Sequence, residues 1–85
     1  MSEPAITDKL LEYGLTEPES KIYIHIARRG PSPAGEVAKA LSIRRGQTYN
    51  VLKTLQEKGL VEAVAGRPIR FTAIPLPKAI DVLLE

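Results

Sequence analysis

Residues 32–74 read SPAGEVAKALSIRRGQTYNVLKTLQEKGLVEAVAGRPIRFTAI, and the changes of rhythm within this stretch decide the fold. Ser32-Pro33 has the chemistry of a helix start: serine caps, and proline occupies the first turn, where no N–H is needed. Val37, Ala38 and Leu41 then give a short helix one buried side. Ser42 and Ile43 break the pattern. A longer helix follows from about Arg45 to Lys58, with Thr48, Leu52 and Leu55 on one face, Tyr49 and Val51 flanking it, and Gly59 as the stop. A short helix, a tight turn and a longer helix make a helix-turn-helix over about residues 33–58. Beyond Gly59 the helical period is lost. Leu60–Val64 and Ile69–Ile74 read as strands and Ala65-Gly66-Arg67-Pro68 as the turn between them, a β-hairpin spanning about residues 60–74. A hairpin placed directly after the second helix is a wing.

Working outward, Ile6, Leu10, Leu11 and Tyr13 give one apolar side to a first helix that Pro4 opens and Gly14 stops. Thr16 stands three residues before Glu19, the capping-box spacing, and Ile22, Tyr23, Ile26 and Ala27 follow at core spacing until Arg28-Arg29-Gly30. After Pro75, residues 77–85 open a last helix with Ile80, Leu83 and Leu84 apolar. The expectation is a mainly helical α+β domain over residues 1–85: a winged helix-turn-helix with a two-stranded wing and flanking terminal helices. Eighty-five residues support one modest core, and an apolar content of 44% with 26% charged residues is that of a globular chain. No apolar run approaches the roughly 20 residues of a membrane span. The opening MSEPAITDKL lacks the basic and apolar regions of a secretory signal, and cysteine is absent, which together fit a cytoplasmic protein.

The net charge of +2 conceals a segregation. Residues 1–38 carry −2, residues 39–70 carry +5, and residues 71–85 carry −1. One basic block in a nearly neutral chain suits a polyanion docking on one face. The longer helix turns Gly46, Gln47, Asn50, Lys53, Thr54 and Glu57 away from its core side. Its N-terminal half, the part that enters a major groove, therefore offers Arg44, Arg45, Gln47 and Asn50. Arginine is bidentate to guanine, and Gln or Asn to adenine, so Arg45, Gln47 and Asn50 are the expected base readers. Arg44, Lys53 and Thr54 suit phosphates. Arg67 at the wing tip suits a narrow minor groove or the backbone, and Arg70 stands one strand position back.

Catalytic groupings are lacking. His25 is the sole histidine and lies mid-helix, opposite Ile22 and Ile26, with no companion at metal-ligand spacing. No phosphate-cradling glycine motif is present, and Glu17 and Glu19 are helix-start acids. Neither an enzyme nor a cofactor is expected.

The stretch from Leu10 to Pro75, with GLTEPESKIY at 14–23, TYNVLKTLQEKGLVE at 48–62 and GRPIRFTAIP at 66–75, resembles the N-terminal winged-helix domain of TrmB-like archaeal regulators. Arg44 stands where that family usually has proline and Gly46 where a serine is common, so the resemblance implies DNA binding without implying its sequence preference. The family's sugar-binding C-terminal domain has no counterpart in these residues, so no small-molecule effector site is expected in them. Double-stranded DNA is the expected partner, bound by a homodimer paired through Ile6, Leu10 and Leu11 of the first helix and Leu76, Ile80, Leu83 and Leu84 of the last segment. Two alternatives share this fold: a protein-interaction winged helix within a transcription complex, and an accessory domain of a larger nucleic-acid enzyme.

Overall fold

Thr16 and Glu19 form the capping box their spacing implies: the Thr16 N–H donates to Glu19 Oε1 at 2.7 Å, and the Glu19 N–H donates to Thr16 Oγ1 at 3.3 Å. This starts helix α2 (Glu17–Arg29) in a computed structural model that describes residues 3–85. Met1 and Ser2, and with them the start of the expected domain, lie outside the described residues. Helix α1 (Glu3–Glu12) precedes α2; strand β1 (Ser32–Pro33), helices α3 (Ala34–Leu41) and α4 (Arg45–Glu57), strands β2 (Val61–Val64) and β3 (Arg70–Ala73), and helix α5 (Leu76–Leu84) follow it.

The core forms where the apolar faces of α2, α3 and α4 meet. Ile22, Tyr23 and Ile26 of α2 are buried against Val37 of α3 and Leu52 and Leu55 of α4. Ile24, not Ala27, is the further α2 residue that goes inside; Ala27 is exposed. The buried Tyr23 hydroxyl donates to the Ile74 carbonyl, tying α2 to the strand end that leads into α5. Burial raises the Tyr23 pKa, so the phenol stays protonated and remains a donor.

Ser32 departs from its expected role. Its hydroxyl donates back to the Gly30 carbonyl at 2.8 Å, and Pro33 is the residue that precedes α3, without a side-chain cap. Ser32-Pro33 is extended and pairs antiparallel with β3, Ser32 opposite Phe71 and Pro33 opposite Arg70. Among the described residues the sheet is therefore three-stranded, in the order β1-β3-β2, and not the hairpin alone. Two residues before a helix carry no strand periodicity, so the third strand was invisible to the pattern. Phe71 faces the core from the central strand, opposite Ala63 of β2, and anchors the wing.

The turn between α3 and α4 rests on Ser42, which holds left-handed geometry at φ 55° and ψ 42° and donates its N–H to Ala38 and Lys39. A side chain there is strained, and glycine is not. Ser42→Gly is expected to raise stability by about 0.5–1 kcal/mol, read as a melting-temperature increase of several degrees.

The terminal helices also belong to the monomer. Leu10 is only 1% exposed, Ala79 is fully buried, and Ile6, Leu76, Val82 and Leu83 pack against the core. This corrects the expectation of open apolar faces at both ends. α1 and α5 close the domain's own core, leaving Leu11 and Leu84 as their exposed leucines, at 39% and 63%.

Candidate nucleic-acid interface

Helix α4 begins without the features that stabilise α2. Arg44 is its N-cap residue, and the side chain makes no capping bond; the Arg44 carbonyl accepts from the Thr48 N–H at 2.9 Å and the Thr48 hydroxyl at 3.0 Å. No acid stands in the first turn of α4, whereas α2 has Glu17 and Glu19 there. The open N–H groups and the positive dipole end thus fall at two basic residues, Arg44 and Arg45, with no acid beside them. A misplaced charge at a helix end costs about 0.3–1 kcal/mol, so this start gives up stability and gains positive potential at the solvent.

Across the exposed face of α4, a rotation of about 100° per residue sets the order of the side chains. Gly46, Asn50 and Lys53 occupy the centre, all exposed. Gln47 takes the flank toward α2 and shares a cleft with Glu17, Lys21, Leu41 and Ile43. Arg45 and Tyr49 take the other flank and line a groove that runs to Pro68 and Ile69 of the wing. The Arg45 guanidinium lies back over Gly35 of α3: a Cβ on Gly35 would stand 3.3 Å from Arg45 Nη2. Thr54 is half-buried, and its hydroxyl donates to the Asn50 carbonyl at 3.1 Å, back into its own helix. Of the residues expected to meet DNA, Gln47, Asn50 and Lys53 lie on the exposed side of α4, Arg44 is exposed at its start, Arg45 leans toward the wing, and Thr54 stands apart.

At the wing, Arg67 is exposed on the tip. The Arg70 side chain returns toward the same place, its Nη1 lying 3.9 Å from the position a Cβ on Gly66 would take. That Cβ would also meet the Pro68 carbonyl at 3.2 Å, so the tip is fitted tightly to glycine. Two guanidinium groups therefore stand at the wing, one on its tip and one directed toward it.

Tyr49 is the residue the sequence placed least well. Expected beside the core face, it is 49% exposed in the groove between α4 and the wing, near Ile69, which is 53% exposed. The available signal was its offset from Thr48 by one helical step toward Arg45. His25 is half-buried; burial and the nearby Arg29 lower its pKa against the opposing pull of Glu36, which keeps it neutral at pH 7. Among the described residues no group of acids and histidine could hold a metal ion, and no helix is long and apolar enough to cross a membrane.

Residues 10–77 match the family model described as sugar-specific transcriptional regulator TrmB. The chain belongs to the TrmB family. A relative from Pyrococcus furiosus, described as the HTH-type sugar sensing transcriptional regulator TrmBL1, is 41% identical over 80% of this chain and 20% of its own. The chain thus spans one fifth of that curated relative. Among solved structures, TrmBL2, described as an archaeal chromatin protein with a novel mode of DNA binding, superposes with a TM-score of 0.86 at 20% identity, covering 98% of this chain and 33% of that one. The ST1889 protein of Sulfolobus tokodaii gives 0.81 at 22% identity over 99% of this chain and 89% of its own. A MarR family regulator, SP03579, gives 0.75 at 21% identity over 96% of this chain and 58% of its own. These likenesses show a winged-helix fold, as the helix-turn-helix and hairpin pattern implied.

Proposed function

We propose that this domain binds double-stranded DNA as the reading head of a transcriptional regulator, with α4 in the major groove and the wing on the minor groove or backbone. The observation that carries the reading is the N-terminal half of α4: an uncapped helix start with Arg44 and no acid, beside an open face bearing Gln47 and Asn50. A winged helix that serves only protein contacts has no use for that loss of helix stability. Gln47 and Asn50 read base edges; Arg44, Lys53, Arg67 and Arg70 hold phosphates or the minor groove, and Arg45 contributes from the wing side. The family's description as transcriptional regulators and the name of the Pyrococcus relative support the reading. It implies a non-catalytic, DNA-associated protein of the cytoplasm. The test is anisotropy of a labelled mixed-sequence duplex at low salt: saturable binding is expected, and no binding to any duplex overturns the reading.

A two-fold pair of domains would set two recognition helices about 34–36 Å apart, one turn of DNA. Leu11 and Leu84 are the exposed apolar groups of α1 and α5 available for pairing. At 39% and 63% exposure, four such side chains across a dimer can contribute about 3–6 kcal/mol, against an association cost of about 4–15. Pairing through these two residues is therefore weak. Sedimentation equilibrium is expected to show self-association that grows with concentration and disappears in Leu11→Glu with Leu84→Glu. A monomer at every concentration, or a dimer that survives both changes, refutes this interface.

A further inference from the structure

A groove separates α4 from the wing. Arg45 and Tyr49 line it from α4, Pro68, Ile69 and Phe71 from the hairpin, and residues 33–36 from the start of α3. Arg45, Tyr49, Pro68 and Ile69 are exposed, whereas Ala34 and Phe71 are buried. The accessible lining thus combines a guanidinium, a phenol and two apolar wing residues. The Arg45 guanidinium lies on the α3 side, where the missing side chain of Gly35 leaves it room. Gly46 adjoins Tyr49 one turn earlier on the helix surface, and a Cβ there would meet nothing within 4 Å. The surface from Tyr49 to the centre of α4 is therefore open.

The shape of a duplex selects the occupant. In B-DNA a single sugar-phosphate strand divides each major groove from the minor groove beside it. A domain that places α4 in the one and its wing on the other must let that strand pass between them, and this groove is the space it crosses. We propose that the groove seats that strand: Arg45 pairs with a phosphate, the Tyr49 hydroxyl donates to a phosphate oxygen, and Pro68 and Ile69 lie against deoxyribose carbons. The seat rests on the DNA-binding reading above, assigns Arg45 to the backbone and adds Tyr49 to the contact surface. Its chemistry is that of a sugar-phosphate chain: a planar cationic fork and a neutral hydroxyl for the oxygens, apolar surface for the sugar. Arg67 on the wing tip and Arg70 directed toward it extend the positive charge beyond the groove. Glu36 of α3 also lines the groove and opposes a phosphate, but it is exposed, where water and salt screen it, and it acts on His25 of α2 as well.

Tyr49→Phe removes only the hydroxyl. It is expected to weaken binding about three- to tenfold on a mixed-sequence and a selected duplex alike, with the salt slope unchanged, because a neutral donor displaces no counterion. Arg45→Gln is expected to weaken both duplexes by a similar factor and to make the slope shallower by about one. Lys9→Gln removes the same charge from an exposed site on α1 and is expected to stay within about twofold of the parent. In selected duplexes carrying single uncharged methylphosphonate linkages, the linkage that meets Arg45 should weaken the parent and leave Arg45→Gln unaffected. Circular dichroism confirms that each variant is folded. If the parent binds no duplex at all, the DNA-binding reading fails and the seat with it. If the parent binds with steep salt dependence while Arg45→Gln or Tyr49→Phe matches it on both duplexes, the seat alone is overturned. A loss confined to the selected duplex marks base reading and also overturns it.

Discussion

Glu19→Ala is expected to destabilise the domain by about 2–3 kcal/mol, lowering the melting temperature by roughly 10–20 °C. Glu19 is 3% exposed, accepts the Thr16 N–H to start α2, and meets the Lys58 ammonium at 2.9 Å just past the end of α4. One carboxylate thus ties the first turn of one helix to the last of another. Losing the capping contact costs about 1 kcal/mol, and removing one partner of a buried pair costs about 3–5. Lys58 is 36% exposed and can return to water, which reduces the pair's share to about 1–2 kcal/mol and the total to about 2–3. Burial by itself would raise the Glu19 pKa, but the hydrogen bonds from Thr16 and the Lys58 ammonium outweigh it and hold the carboxyl below its ordinary value. A depressed carboxyl contributes stability above its unfolded pKa and loses it as pH falls through the folded one. The stability gap between the parent and Glu19→Gln is therefore widest near neutral pH and closes on acidification. Urea unfolding along a pH series measures it; a gap that widens toward acid contradicts the assignment.

The second large effect falls on recognition. Gln47→Ala and Asn50→Ala should each cost roughly 1–3 kcal/mol on the cognate site while leaving non-specific affinity nearly intact. Arg67→Ala should weaken most sequences, and most strongly where an A·T-rich tract narrows the minor groove beside the half-site. Comparing a selected site with mixed-sequence duplex separates the two classes. Equal losses on both duplexes for Asn50→Ala would remove it from base reading.

Much of this architecture is legible in the sequence because the informative residues act locally. The capping box needs only Thr16 and Glu19 three apart, and the core face of α4 needs only Thr48, Leu52 and Leu55 at helical spacing. Misplaced features depend on distant partners. Ser32-Pro33 is a strand only because Phe71 and Arg70 arrive beside it, and Glu19 is half of an ion pair only because α4 ends at Lys58. Leu10 reads as surplus apolar surface until α1 is seen packed over the core. The site divides in the same way. The exposed positions of Gln47, Asn50 and Lys53 follow from helical geometry, whereas the lean of Arg45 over Gly35 and the opening of Tyr49 toward the wing depend on how α3 and the hairpin approach α4.

The salt dependence of duplex binding bears most directly on whether this surface meets a nucleic acid. About four to six phosphate contacts per domain release a matching number of counterions, so log K should fall linearly with log salt at a slope of about −4 to −5 per protomer. A slope near zero, with affinity indifferent to salt, would contradict a phosphate-binding role for the basic surface.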